Sequence, residues 1–384
     1  MLAKDIVKVN LTVPYRVICI ADIHGSFTAF QRLLAKVNYK KGKDYLFILG
    51  DLLERGREEE IPTIDYIFEL SKHDRVYIIS GNNDRRMDYI QNEDFQEMAN
   101  WIKIRPGNIL TQWLNSIGIS ESEFSEENYK SAISEIKSKY RDKIDFVCNL
   151  PLVIETKEFI CVHSSLDSRE DWQETSKWDA WFGNIRNINK TGKWVIGGHA
   201  PNSCFFPEAQ MTLLPIIRYN NKTISIDGGC NTVFFGGQLN ALIIEKSSES
   251  EDIVFSFDCA DSWSLNGIII KNVKGGNEYE VFGEHLGNVE ALKKGEHFTE
   301  CKIIETGKIC LVKNESVSGE IFDCWQAYNN FVSVNENEIV SVINNSLSGY
   351  AYIRSSKGEL GWIPKDCLSY CLRRAEDGAP YARF

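Results

Sequence analysis

Arg16-Val17-Ile18-Cys19-Ile20-Ala21-Asp22-Ile23-His24-Gly25 is the stretch on which the fold turns. It opens with a short, mostly apolar run, the pattern of a buried strand. An acid and a histidine follow at once, two residues apart, and then a glycine. Segment 27–37 then places Phe30, Leu33, Leu34 and Val37 at helical spacing. A second apolar run, 45–49, ends in Gly50-Asp51-Leu52-Leu53-Glu54-Arg55-Gly56. A helix is predicted over 61–70, with Pro62 in its first turn. A third run, 76–80, ends in Gly81-Asn82-Asn83-Asp84. Strands alternating with helices predict βαβ units and a parallel-leaning sheet. Polar residues at the carboxyl ends of strands are where such a sheet places its site.

Residues 88–146 have a different texture. They are polar, with helical periodicity over 101–104, 109–117 and 129–140, and predict a helical cap inserted between strands. Strand signals return at 152–155, 159–163, 194–197, 223–226 and 241–245. Two of these lead into Val162-His163 and Gly197-Gly198-His199. Beyond about residue 258 the chain becomes short β-type runs separated by Gly, Asn and Ser, which predicts one or two small all-β modules. Domain boundaries are expected at 258/259 and 317/318, with a tail from 373 to 384.

Composition narrows the classes. The 384 residues include 43% hydrophobic and 25% charged types, which is globular and excludes wholesale disorder. No apolar run approaches the roughly 18–20 residues of a bilayer crossing, and the N-terminus has no apolar signal core. A net charge of −11 argues against general binding to nucleic acid or anionic membrane. The 11 cysteines are scattered without a Cys-x-x-Cys pair and read as buried free thiols, so a cytoplasmic location is expected.

The side chains after the strands suit divalent cations. Carboxylate, imidazole and amide oxygen suit manganese, iron, zinc, nickel or cobalt, of which manganese is the expected one, and no thiolate selects a soft metal. Asp22 and His24 can hold one ion, Asp51 can bridge two, and Asn82, His163 and His199 can complete the second. Two ions roughly 3.5–4 Å apart would clamp both ends of an in-line displacement at phosphorus, and Arg55 offers a fork to phosphoryl oxygens. Singly, each piece reads as polar loop, turn or semi-buried histidine. Jointly they do not, because His24, His163 and His199 all directly follow apolar runs, whereas His73, His285 and His297 do not.

Taken in order, Asp22-x-His24, Gly50-Asp51-x-x-x-Arg55-Gly56, Gly81-Asn82-x-Asp84, Val162-His163 and Gly198-His199 resemble the calcineurin-like metallophosphoesterase superfamily. The nearest likeness is to its phosphoprotein-phosphatase branch of bacterial Ser/Thr phosphatases and symmetrical diadenosine tetraphosphatases. The resemblance covers roughly residues 14–245. It implies a four-layer α/β/β/α sandwich and two divalent ions. Asp22, His24 and Asp51 would hold the first ion, and Asp51, Asn82, His163 and His199 the second. It further implies a phosphate contact from Arg55 and a substrate that is a phosphorylated small molecule, nucleotide or phosphoprotein. Asn83 stands where the family has a histidine acid, and Asp84 where the family has the acid that orients it. An amide cannot deliver a proton, so a better leaving group than an alkoxide is expected, and Asn83→His is expected to restore turnover of alkyl esters. Ser80 stands where an arginine is usual, with Arg85 and Arg86 as substitutes. Arg186 is a poor match for a second substrate arginine. A phosphate-binding pseudophosphatase is the alternative.

Residues 318–372 resemble an SH3 barrel, through Gly361-Trp362-Ile363-Pro364 and Tyr350, and residues 259–317 read as a degenerate first copy. Cys367 replaces a groove tyrosine, so a structural or intramolecular docking role stands beside peptide binding.

Overall fold

The structure is a computed structural model that describes residues 5–55, 59–202, 213–232, 237–261, 265–276, 284–327, 329–345 and 347–370. Gly56 and the 373–384 tail lie outside the described residues. The chain divides into two compact units, Met1–Ser262 and Trp263–Phe384.

The first unit runs β1 (Ile6–Lys8), β2 (Tyr15–Ile20), α1 (Phe27–Lys36), β3 (Tyr45–Leu49), α2 (Glu60–Ser71), β4 (Val76–Ile79), α3 (Met87–Gln91), α4 (Phe95–Ile104), α5 (Ile109–Asn115) and α6 (Tyr129–Cys148). It continues with β5 (Val153–Glu155), β6 (Phe159–Val162), α7 (Lys177–Phe182), β7 (Trp194–Gly197), β8 (Ile216–Arg218), β9 (Thr223–Ser225), β10 (Gln238–Lys246) and β11 (Val254–Asp261). One sheet has the order β11-β10-β2-β3-β4 and the other β1-β5-β6-β7-β9-β8. The site-bearing strands β2, β3 and β4 are mutually parallel, as are β6 and β7.

Alternation along β2 and β3 decides the layers. Val17, Cys19, Phe47 and Leu49 point into a core shared with Ile154, Phe159, Cys161, Ile196 and Ile224 of the second sheet. Ile18, Ile20, Leu46 and Ile48 point the other way, onto Phe30 and Leu33 of α1 and Ile64 and Ile67 of α2. The outer face of the second sheet, through Val153, Ile160, Val162 and Val195, packs on Leu166, Trp172, Ala180 and Ile185. The inserted helices do not stand off as a separate cap. Trp101 of α4, Trp113 of α5 and Ile133 and Ile136 of α6 share one core with α1 and α2. Helix α6 also runs past the expected end at Tyr140. It kinks there, at φ −122°, and Tyr140 stacks on Trp113 with ring centroids 4.6 Å apart.

The second unit is all-β among its described strands. One sheet joins β12 (Leu265–Ile269), β17 (Ile339–Asn344), β18 (Tyr350–Arg354), β19 (Leu360–Pro364) and β20 (Leu368–Tyr370). The other joins β13 (Glu284–Lys294), β14 (Phe298–Ile303), β15 (Ile309–Lys313) and β16 (Ile321–Gln326). Pairing runs across the expected 317/318 cut, because β16 pairs with β13 while β12 joins the later strands. Distant strand pairing is invisible to local texture.

The first boundary lies at Ser262 rather than 258. β11 pairs with β10 along its whole length, and Arg32 and Lys36 of α1 donate to the carbonyls of Asp261 and Cys259 at 2.6 and 2.9 Å. A chain ending at Ser262 is therefore expected to keep its fold and its metal, whereas one ending at 258 should melt lower. Circular dichroism and elemental analysis read both; loss of metal from a folded 1–262 chain would refute the division.

Candidate metal centre and active site

Three loops at the carboxyl ends of β2, β3 and β4 meet two from β6 and β7. The first two are clipped together by backbone bonds. Asp22 N–H donates to Gly50 O at 3.1 Å, His24 N–H to Asp51 O at 3.0 Å, and Gly25 N–H to Leu52 O at 2.9 Å. Asp22, His24, Asp51 and His199 all have left-handed backbones, with φ of 56°, 49°, 49° and 72°. Such conformations are strained outside glycine and persist where the surroundings over-determine them, as at functional sites. Two glycines permit the close approach. A Cβ on Gly198 would lie 2.0 Å from Asp22 Oδ2, and one on Gly81 2.2 Å from Asp51 Oδ1. Gly198→Ala is accordingly expected to displace Asp22, lowering metal content and costing about 1–3 kcal/mol of stability. Thermal melting with metal analysis checks this, and a variant with full metal content would refute it.

The sequence-selected ligands converge. Donor atoms of Asp22, Asp51 and His163 all lie within 4.8 Å of one another. His24 Nε2 is 3.9 Å from Asp22 Oδ1 and 3.8 Å from Asp51 Oδ2, while its Nδ1 faces Leu53 O at 3.3 Å. His163 Nδ1 faces Leu49 O at 2.8 Å, and its Nε2 lies 3.6 Å from Asp51 Oδ1 and 2.9 Å from Asn82 Oδ1. His199 Nδ1 is 2.8 Å from the same Asn82 oxygen, and its backbone N–H donates to Asp22 at 3.0 Å.

Electrostatics fit a cation. Burial, then Asp227 and Asp51, push Asp22 well above the usual carboxylate range. Burial alone would raise Asp51 too, but His163 and His24 facing it hold it below that range. Burial lowers His24 and His199 to about 4, leaving neutral rings, the form that ligates metal. A carbonyl can only accept, so Leu49 O takes the Nδ1 proton of His163. In the form that ligates metal, the ring would turn an Nε2 lone pair toward Asn82 Oδ1, itself an acceptor. Facing acceptors and clustered carboxylates are the donor set a divalent cation satisfies.

The remaining selected residues occupy other positions. Asp84 is buried, and its oxygens accept the N–H groups of Leu52 and Gly81 at 2.9 and 2.8 Å, bracing the loops after β3 and β4. Burial and the Asp51 charge raise it to about 7. Asn83 grips Asp51, with its backbone N–H on Oδ1 at 2.8 Å and its Nδ2 on Oδ2 at 2.6 Å. Its Oδ1 accepts from Arg86, which also meets Glu54 Oε2 at 3.3 Å. Arg85 is exposed, with its guanidinium 4.3 Å above the Trp181 ring. Trp181 lies in the last turn of α7, which is held to the His163 loop by Ser164 N–H on Ala180 O and Ser164 Oγ on Gly183 O. Ser80 donates to Gly81 O at 3.1 Å, and Arg186 is exposed.

Glu54 was not singled out by sequence, and no local pattern reports that its carboxylate will be buried. It is 1% exposed, and its Oε1 accepts from the Trp101 indole at 2.7 Å, 47 positions away. Burial raises it from 4.5 to about 7, against the opposing Arg86 charge. The folded state therefore holds this proton more tightly than the unfolded chain. That contribution is complete below about 4.5 and is lost as pH rises to about 7. Glu54→Gln should flatten that part of the wild-type stability profile in denaturant unfolding, and superimposable profiles would refute the shift.

The sheets and the loops at their strand ends belong to a known class. The calcineurin-like phosphoesterase profile matches residues 15–236, and the chain belongs to that family. Among curated relatives, a symmetrical bis(5'-nucleosyl)-tetraphosphatase of Buchnera aphidicola subsp. Acyrthosiphon pisum (strain Tuc7) is 28% identical over 163 residues, covering 33% of this chain and 57% of that one. Its namesake in Buchnera aphidicola subsp. Schizaphis graminum is 31% identical over 101 residues, covering 22% and 36%. The chain thus spans little more than half the length of the first of these. A solved Saccharomyces cerevisiae protein serine/threonine phosphatase is 10% identical, covers 66% of this chain and 83% of its own, and has a TM-score of 0.41. Among the described residues, no helix is long and apolar enough to cross a membrane.

Proposed function

We propose that the protein hydrolyses a phosphate ester or anhydride with two divalent ions, manganese foremost, and without a histidine acid at position 83. The observation that carries this reading is the convergence of six ligand-type side chains on one buried centre. Asp22, His24 and Asp51 would hold one ion, and Asp51, Asn82, His163 and His199 the other. When bound, the ions would supply Lewis-acid polarisation of the phosphoryl group and a nucleophilic water. The protein itself orients the ligands, through Leu49 O and Leu53 O on His163 and His24, and steers Asp51 through Asn83. Arg55 and Arg85 are the substrate-facing cations of this reading. Arg86, selected for the same role, is engaged with Glu54 and Asn83. With Asn83 as neighbour the leaving group departs unprotonated, which favours nucleotide, polyphosphate or aryl groups over a serine alkoxide. The names of the tetraphosphatase relatives agree with that class.

The test is turnover of phosphomonoesters, diesters and dinucleoside polyphosphates with added manganese. Hydrolysis confined to good leaving groups is expected. Turnover of none, despite bound metal, would leave the second reading, a pseudophosphatase that binds phosphorylated ligands. The bonds that tie Asn83 to Asp51 favour that alternative.

The second unit is read as SH3-like, serving as an interaction tether for a peptide or for the chain itself. Tyr350 supports this, half-buried among Phe298, Phe331 and His297 with ring centroids 5.2–5.8 Å apart. Trp362 is only 2% exposed and packs on Tyr352, so it would serve the core rather than a groove. The nine described cysteines are free thiols, which agrees with a cytoplasmic location.

A further inference from the structure

Two guanidinium groups near the metal centre each keep an unsatisfied donor among the described residues. Arg55 lies in the loop after β3, four positions beyond Asp51. Arg105 caps the C-terminus of α4, where Pro106 ends the helix. The Nε atom of each is buried and has no hydrogen-bond partner among the described residues. Arg105 does reach one oxygen, its Nη1 lying 3.3 Å from the carbonyl of the adjacent Ile104.

The two cations also act on each other. After burial, the charge of Arg105 is the next largest influence lowering Arg55. Glu54 feels Arg105 and Arg86 together. That one carboxylate faces three guanidinium charges, with one of its oxygens accepting from Trp101 and the other facing Arg86. Like charges held together with orphaned donors are unfavourable as they stand. One ligand resolves both costs: a multiply charged group with several outward oxygens, matched to the guanidinium fork.

We propose that Arg55 and Arg105 form a phosphoryl-binding subsite beside the metal centre, with Arg105 supplied by the inserted helices as the second cation. This rests on the phosphoesterase reading and deepens it. Arg186, a poor match in sequence for a second substrate arginine, is exposed. The second cation comes from another part of the chain, brought in by the Trp101–Glu54 bond one turn earlier on α4.

The experiment is calorimetric titration of inorganic phosphate into the manganese-loaded full-length protein, for wild type, Arg105→Ala, Arg105→Gln and Arg105→Lys. Removing one charged donor pair should weaken phosphate roughly 10- to 100-fold, with metal content unchanged by elemental analysis. Lysine should recover part of the loss, having the charge without the fork. Thermal melting with and without phosphate guards against misfolding, since wild type should gain melting temperature from phosphate and the alanine and glutamine variants should not. Equal phosphate affinity in wild type and both neutral variants overturns the subsite, even if esters are hydrolysed. No phosphate binding by wild type overturns it as well. Arg105-dependent phosphate binding in a protein that turns over no ester upholds the subsite and removes the hydrolase reading instead.

Discussion

Asp51→Asn is expected to strip the protein of both ions and to abolish turnover. Among the described residues, Asp51 is the carboxylate that faces both His24, at 3.8 Å, and His163, at 3.6 Å, from its two separate oxygens. Loss of an outer-shell partner alone typically costs ~10–100-fold in metal affinity, and a shared ligand should exceed that. Asparagine also places an N–H₂ group where one oxygen accepts from Asn83, so the clamp on this side chain is lost with the charge. Several kcal/mol of transition-state stabilisation would go with the ions, equivalent to a fall of ~10³-fold or more in rate. Elemental analysis after reconstitution and a rate on the best ester give the result. Undiminished metal in the variant would show that the centre is not built around Asp51.

The second large effect lies at position 83 and depends on Arg86. From the sequence alone, Asn83→His should restore a general acid. The structure changes that expectation. Asn83 Oδ1 accepts from Arg86, and Arg86 also occupies one oxygen of Glu54. A histidine at 83 would meet a guanidinium, donor against donor and cation against cation, so its protonated form would be disfavoured. The single variant should therefore gain little on alkyl phosphomonoesters. Asn83→His with Arg86→Gln removes the competing cation and frees a Glu54 oxygen to hold the imidazole. That pair should gain up to the ~10²–10⁴-fold that a positioned acid supplies, with aryl phosphates little changed. Brønsted plots for wild type, both singles and the double decide it. A gain in the Asn83→His single equal to that of the double would mean Arg86 does not govern this position.

Glu54, Arg86, Trp101 and Arg105 show why so much of the chemistry was legible and the rest was not. The candidate ligands Asp22, His24, Asp51, Asn82, His163 and His199 each follow an apolar run. In an α/β sheet a strand end is a defined place, so local sequence already determined that these residues would gather. The alternation Val17/Ile18/Cys19/Ile20 likewise committed β2 to burial on both faces. What local sequence could not determine was pairing between distant segments. Arg86 looked like a free cation until folding buried Glu54 beside it. No local pattern singled out Arg105; it comes near the same carboxylate through Trp101, whose indole lies 47 positions beyond Glu54. The exchange of β12 and β16 between the sheets of the second unit has the same origin. Strand ends and burial periodicity are set by neighbours in sequence, whereas the partner of a buried charge or an edge strand is set by whichever distant group the finished core leaves beside it.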